Sequence, residues 1–224
     1  MTISWRRRLT TLVVLPLLAA CAVLAACAGG DSDDEFSAAD TTTAGMTAPS
    51  ASALASGEQQ QFWNALTEIC GNAYPGTVIE APAGDTTFAG RDLVMHVRSC
   101  TDSEIRIPFH VGQDRSRTWV ITRTGSGLRL KHDHRHEDGS EDAQTQYGGD
   151  TADEGTAQRQ EFPADAFTSE LIPEAATNVW TVEVVPGQAY VYALRREGTD
   201  RRFRIEFDLT RTVATPPAPW GAQD

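Results

Sequence analysis

Apolar and polar residues alternate with a period of two over most of the chain after residue 77. Successive side chains of a β-strand point to opposite faces, so this period predicts strands that each bury one face. The clearest runs are 93–97, 105–109, 119–122, 128–132 and a three-stranded meander across 180–209. About eight or nine short strands at this spacing predict a single antiparallel barrel or sandwich, with a lipocalin-like cup as one form of the barrel.

A helical period occurs before the strands. Ser56 followed three residues later by Gln59 has the spacing of a capping box, the usual signal for a helix N-terminus. The pattern therefore predicts one N-terminal helix over about residues 58–70 that packs its apolar face into the core. The large apolar residues at helical spacing are Phe62, Leu66 and Ile69.

The first 26 residues have the composition of a secretory signal. Three arginines at 6–8 precede an apolar run over 9–23, which ends in Leu24-Ala25-Ala26-Cys27. This tetrapeptide resembles the lipobox of bacterial lipoproteins, where a type II signal peptide is cleaved and the cysteine receives acyl chains. The resemblance implies lipidation of Cys27. A membrane anchor and an ordinary cleaved signal are the alternatives, and the run is short for an anchor.

The lipobox resemblance implies a cell-envelope protein that is anchored to a membrane by its acyl chains. In Gram-negative lipoproteins, a residue other than aspartate after the cysteine implies transport to the outer membrane, facing the periplasm, and here that residue is Ala28. Residues 27–56 are mostly small and polar, which predicts a disordered tether. The folded β domain is then expected over 57–212, followed by a flexible Pro-rich tail at 213–224.

Charge limits the partners that this protein can have. The chain has 19 basic and 31 acidic residues and a formal net charge of −12. Removing residues 1–26 takes away three arginines and no acid, which leaves 16 against 31, or −15. Such a surface repels phosphate backbones, so nucleic acid is not expected as a partner. The expected partners are the membrane, through the anchor, and a small hydrophobic ligand or another envelope protein.

Two cysteines, Cys70 and Cys100, remain once Cys21 leaves with the signal and Cys27 is lipidated. An even pair in an oxidising compartment predicts a disulfide, with two buried free thiols as the alternative. The bridge would close a loop of about 30 residues, for which the chain-entropy model gives roughly 3–4 kcal/mol of stabilisation.

Three histidines, His132, His134 and His136, form the main candidate for chemistry. On a strand, neighbouring members of this set share one face about 6.6 Å apart, so two imidazoles can bind one transition-metal ion. A metal-dependent enzyme is therefore the alternative to a binding protein, with His96 or His110 as the ligand from another strand. Because a straight strand brings only two of the three imidazoles together, we expect weak metal binding and no resident cofactor. A solvated hairpin end is the other interpretation.

Motif spacing near these histidines resembles two enzyme families only in part. His134, His136, Glu141 and Gly148 have the spacing of the first cupin motif, but the histidine of the second motif is missing. The metallo-β-lactamase pattern is broken, because Glu137 stands where its last histidine should be. The cupin resemblance therefore implies β architecture at most.

The stretches 62–71 and 115–138 resemble uncharacterised secreted proteins of proteobacteria, a resemblance that implies no activity. The sequence also has no Gly-x-Ser-x-Gly elbow and no phosphate-binding glycine loop. A lipid-anchored envelope protein that binds a ligand or a partner is thus the function that the sequence favours.

Overall fold

A computed structural model describes residues 56–222 of the chain. The predicted signal peptide, the lipidation site at Cys27 and nearly all of the predicted tether lie outside the described residues. No helix in the described range is long and apolar enough to cross a membrane.

The described residues are mainly β-structure, as the period-two pattern predicts. The strands β1 to β11 are, in chain order, Ala73–Glu80, Leu93–His96, Ser99–Cys100, Glu104–Val111, Asp114–Thr124, Gly127–His134, Tyr147–Asp150, Arg159–Pro163, Asn178–Val185, Ala189–Arg196 and Arg202–Asp208. The helix α1 spans Gly57–Glu68, the short helix α2 spans Ala166–Leu171, and a 3-10 turn spans Pro173–Ala175.

All of these strands belong to one antiparallel sheet that curls into a nearly closed barrel. Ten strands follow the order β7-β6-β5-β4-β2-β1-β11-β10-β9-β8, and β3 pairs with β4 beside this path. The two outermost strands, β7 and β8, lie next to each other. This arrangement confirms the predicted mainly-β class with one N-terminal helix, and it decides between barrel and sandwich in favour of the barrel.

The seam between β7 and β8 depends on glycines and one hydroxyl. A Cβ added to Gly149 would lie 1.8 Å from the Pro163 carbonyl oxygen, so only glycine permits this close approach. The Thr168 hydroxyl accepts a hydrogen bond from the Gly148 N–H and donates one to its carbonyl, both at 2.7 Å. The Asp165 N–H also donates to the Gly148 carbonyl, at 2.9 Å. The loop before α2 therefore completes the barrel where a strand ladder is missing.

The helix α1 covers one end of the barrel. The Ser56 hydroxyl accepts a hydrogen bond from the Gln59 N–H at 3.2 Å, which confirms the predicted N-cap. Phe62 and Leu66 have no exposed surface. The Arg123 guanidinium lies 4.6 Å from the ring centre of Trp63 and fixes the helix over the β5–β6 hairpin. This end of the barrel is filled by side chains.

The predicted Cys70–Cys100 disulfide is present, with an S–S distance of 2.01 Å. It joins the turn after α1 to β3, at the same end of the barrel. A covalent link at this point holds the helix against strands that are distant from it in sequence.

The Pro-rich tail follows the outside of the barrel. The Val213 N–H donates to the Ala73 carbonyl at 2.9 Å, and the Trp220 N–H donates to the Arg115 carbonyl at 3.1 Å. The Arg115 guanidinium also donates to the Ala218 carbonyl, at 3.1 Å. The described tail, 213–222, is thus held at both ends, where its composition predicts a loose segment. The reason is tertiary: two main-chain carbonyls and one guanidinium of the barrel wall provide partners that the tail's own sequence does not reveal.

Candidate functional site

The end of the barrel opposite α1 is open and holds a cavity of about 430 Å³, here called the open-end cavity. Strand β6 begins near α1, where Gly127 lies against Gln59, and it ends at His134 in the cavity wall. The β1–β2 and β6–β7 loops and the segment between β8 and β9 surround the entrance. The cavity is therefore made by loops placed on a rigid sheet, the usual position for a binding site.

Aromatic rings form much of the cavity wall and floor. Tyr147 and Trp180 have ring centres 5.7 Å apart, and Phe88 and Phe203 have centres 5.0 Å apart on the other side. Tyr192 also lines the cavity and stacks below on the buried Trp119, with centres 4.4 Å apart. Rings at these distances pack firmly, so they give the cavity a stiff aromatic portion of its wall, beside polar and charged side chains.

His132 lies beneath the cavity floor and is fully enclosed. Its Nδ1–H donates to the Tyr147 carbonyl at 3.0 Å, so Nε2 accepts from the Tyr192 hydroxyl at 2.8 Å. Burial lowers the pKa of His132 to about 3. The imidazole is therefore neutral, and its two hydrogen bonds hold the Tyr147 main chain and the Tyr192 hydroxyl in place below the cavity.

His134 is on the same inner face, one step nearer the entrance. Its Nε2 lies 3.1 Å from the Tyr147 hydroxyl. Burial, followed by the positive charge of Arg117, lowers the pKa of His134. Burial also raises the pKa of Tyr147 to about 12. Gln146, the residue before this tyrosine, has a φ of 60°, a left-handed conformation that is uncommon outside glycine and directs the chain into β7.

The third histidine of the predicted metal set lies apart from the other two. His136 is exposed beyond the end of β6, with Nδ1 3.9 Å from a carboxylate oxygen of Asp142. Both nitrogens of His132 already have partners within the barrel. Among residues 56–222, no group of three His, Cys, Asp or Glu side chains is arranged to hold a metal ion.

His96 and His110, which the sequence offers as additional metal ligands from another strand, lie on the outer wall of the barrel. Their strand neighbours Met95 and Phe109 occupy the core, so these two histidines point away from it. Burial is the main cause that lowers the pKa of His110 to about 4. Neither histidine lines the open-end cavity.

Two arginines lie opposite each other on the rim of the open-end cavity. Arg196 ends β10 and Arg201 precedes β11, and the N–H of Arg196 donates to the carbonyl of Arg201 at 3.1 Å. Both residues line the cavity. Nε of Arg196 also donates to the Oδ1 of Asn178 at 2.9 Å. In the sequence these two residues belong to a basic cluster beside a turn, and the run of arginines from 195 to 204 has no pattern that separates inward from outward members.

A larger groove of about 620 Å³ lies on the outer wall beneath the tail. Its central charges already satisfy one another, because Asp133 accepts from Arg106 at 2.5 Å and from Arg135 at 2.7 Å. The open-end cavity has a more continuous aromatic wall, and it is the better candidate for a ligand despite its smaller volume.

Comparisons with known proteins provide no family for this chain: no family model matches it, and neither a curated protein nor a solved structure matches significantly. The barrel and its open-end cavity are therefore the features from which a function can be inferred.

Proposed function

We propose that this protein is a lipid-anchored component of the cell envelope that binds a small hydrophobic ligand in the open-end cavity of its barrel. The observation that carries the proposal is the aromatic wall of that cavity, with Tyr147, Trp180 and Phe203 around a volume of about 430 Å³. Cavities of roughly 300–1,000 Å³ with apolar walls and a few polar groups are typical small-molecule sites.

The floor of the cavity supports a preformed site. His132 fixes Tyr192 through its Nε2 and the Tyr147 main chain through its Nδ1–H. The rings that meet the ligand thus keep their positions when the cavity is empty, and a ligand loses less free energy to ordering the wall.

The lipidated Cys27 and the tether place this domain near a membrane. The predicted tether of about 30 residues would, as a flexible chain, have a root-mean-square reach of roughly 30 Å. In a Gram-negative cell, we propose the outer membrane, on its periplasmic side, as the location.

The neutral fluorophore N-phenyl-1-naphthylamine tests the proposed site, because its emission rises in apolar surroundings. We expect saturable binding to the wild-type domain and roughly tenfold weaker binding after Thr87→Trp, a change that fills the entrance. Thr87 is exposed and lines the cavity. The matched control is Thr86→Trp, since Thr86 is also exposed but does not line the cavity. A wild-type domain that fails to bind the probe, or equal binding by both variants, would contradict the proposal.

A further inference from the structure

We infer that Arg196 binds an acidic group of the ligand, so that the open-end cavity takes an organic acid with a hydrophobic body. This inference rests on the proposed function and names the class of ligand.

The side chain of Arg196 points into the cavity. In the β9–β10 ladder, Arg196 is opposite Asn178 and Leu194 is opposite Trp180, and all four residues line the cavity. The Asn178 side chain is buried, and its Oδ1 accepts from Nε of Arg196 at 2.9 Å. The guanidinium is therefore held by one nitrogen, and its two terminal nitrogens remain for a ligand.

Arg196 has no acidic partner, in contrast to arginines on the outer face of the same sheet. The neighbouring Arg195 bonds Glu161 at 2.7 Å, and Arg204 on β11 bonds Glu183 at 3.2 Å. None of the ion pairs found within residues 56–222 includes Arg196. The chain is strongly acidic, yet this inward arginine lacks a carboxylate, so its charge is available to a ligand.

A second positive charge faces Arg196 across the hairpin. Arg201 is its partner at the end of the β10–β11 ladder, and like charges at opposed positions repel and cost stability. An anion bound between them removes this repulsion. Two cations beside an apolar wall match a ligand with an acidic head and a hydrophobic body, because a guanidinium binds a carboxylate or sulfonate through paired N–H groups.

Two acids also line the cavity, and both have other partners. Asp85 accepts from the Thr87 N–H at 2.8 Å, and the Thr87 side chain is the largest cause that lowers its pKa. Asp142 accepts from the Gln144 N–H at 2.7 Å, on the side of the entrance formed by the β6–β7 loop. Arg201 attracts Asp85 electrostatically. Arg196 thus remains the rim cation without a carboxylate of its own.

Two matched probes separate this inference from the proposed function. 8-Anilinonaphthalene-1-sulfonate carries a sulfonate on the same aromatic body as neutral N-phenyl-1-naphthylamine. We expect the wild-type domain to bind the sulfonate probe more tightly, and Arg196→Gln to weaken that binding roughly 10- to 100-fold, as for loss of a charge-assisted hydrogen-bonded pair. Binding of the neutral probe should change less than about twofold, and salt should weaken binding of the sulfonate probe alone.

The matched control is Arg202→Gln, which removes an arginine from the outward-facing position of the same hairpin. It should leave the affinity for both probes unchanged. If Arg196→Gln left binding of the sulfonate probe unchanged, or weakened binding of both probes equally, the inference would be overturned. Binding of the neutral probe by the wild-type domain would in that case still support the cavity as a ligand site. Failure of the neutral probe on the wild-type domain would instead overturn the proposed function.

Discussion

The Tyr192 hydroxyl lies 2.8 Å from Nε2 of His132 in the interior of the barrel, and both side chains are buried. Because Nδ1–H of the same ring donates to the Tyr147 carbonyl, the imidazole is held in one neutral tautomer. This ring therefore joins β6, β7 and β10 beneath the open-end cavity. Its protonation would remove the acceptor that Tyr192 uses.

The buried histidines should make stability fall in mild acid. Burial holds the pKa of His132 at about 3 in the folded state, whereas the unfolded chain binds this proton near pH 6.5. The stability contribution is complete above about pH 6.5 and is lost as the pH falls, by up to about 1.4 kcal/mol per pH unit. Urea unfolding of His132→Gln should show a smaller loss between about pH 6 and pH 4.5 than the wild type.

His110 provides a second test of the same linkage. Burial on the outer wall lowers its pKa to about 4, so His110→Gln should reduce the pH dependence of unfolding in the same direction. If both single variants kept the wild-type pH dependence, neutral burial of these rings would be wrong.

The seam between β7 and β8 should depend on the Thr168 hydroxyl. Thr168→Val removes the acceptor of the buried Gly148 N–H, which we expect to lower the free energy of unfolding by roughly 1–3 kcal/mol. Thr168→Ser keeps the hydroxyl and loses one methyl group, so it should cost about 1 kcal/mol. Urea denaturation measures both losses, and a valine variant as stable as the wild type would contradict the stabilising role of the hydroxyl.

The Cys70–Cys100 disulfide should contribute measurably to stability. Replacing both cysteines by alanine should lower the free energy of unfolding by roughly 3–4 kcal/mol, because the bridge restricts a loop of about 30 residues in the unfolded chain. A reducing agent should destabilise the wild type by a similar amount and leave the double variant unaffected. Equal stability of the oxidised wild type and the double variant would exclude a stabilising role.

Lipidation of Cys27 remains a prediction from the lipobox resemblance. Labelled palmitate supplied to the host bacterium should enter the wild-type protein and be absent from Cys27→Ala. The control is Cys21→Ala, because that cysteine lies within the predicted signal and should leave labelling intact. If Cys27→Ala were still labelled, Cys27 would not be the acylated residue, and the proposed anchor at this position would be wrong.

The histidine set should bind transition metals only weakly. We expect no near-stoichiometric metal to remain after purification without a His tag and dialysis against a mild chelator. Exposed His136, beside Asp142, should account for residual Ni²⁺ or Zn²⁺ binding, which His136→Ala would reduce. A tightly held metal that is lost in His134→Ala would contradict this prediction and favour the alternative function of a metal-dependent enzyme.

Local pattern was sufficient for most of the strands, the N-terminal helix and the cysteine pair. It did not predict β1, which begins at Ala73, or the two-residue β3. Alternation placed residues such as Ile107, Leu130 and Val182 on the inner face, and all three are fully buried. The capping residue Ser56 marked the start of α1. These features follow from the sequence because they depend on neighbours in the chain and on the preference of apolar side chains for the core.

Tertiary structure alone decided the rest. Closure of the barrel depends on Gly149 lying against the Pro163 carbonyl, a contact between segments that no local period relates. The sequence presents His132 as a candidate metal ligand. In the folded protein, its two nitrogens are instead bonded to the Tyr147 carbonyl and the Tyr192 hydroxyl. In the sequence, Arg196 is one of several similar arginines. In the folded sheet, its neighbour Arg195 pairs with Glu161, whereas Arg196 points into the cavity. In each case the role depends on groups that are distant in sequence, and only packing brings them together.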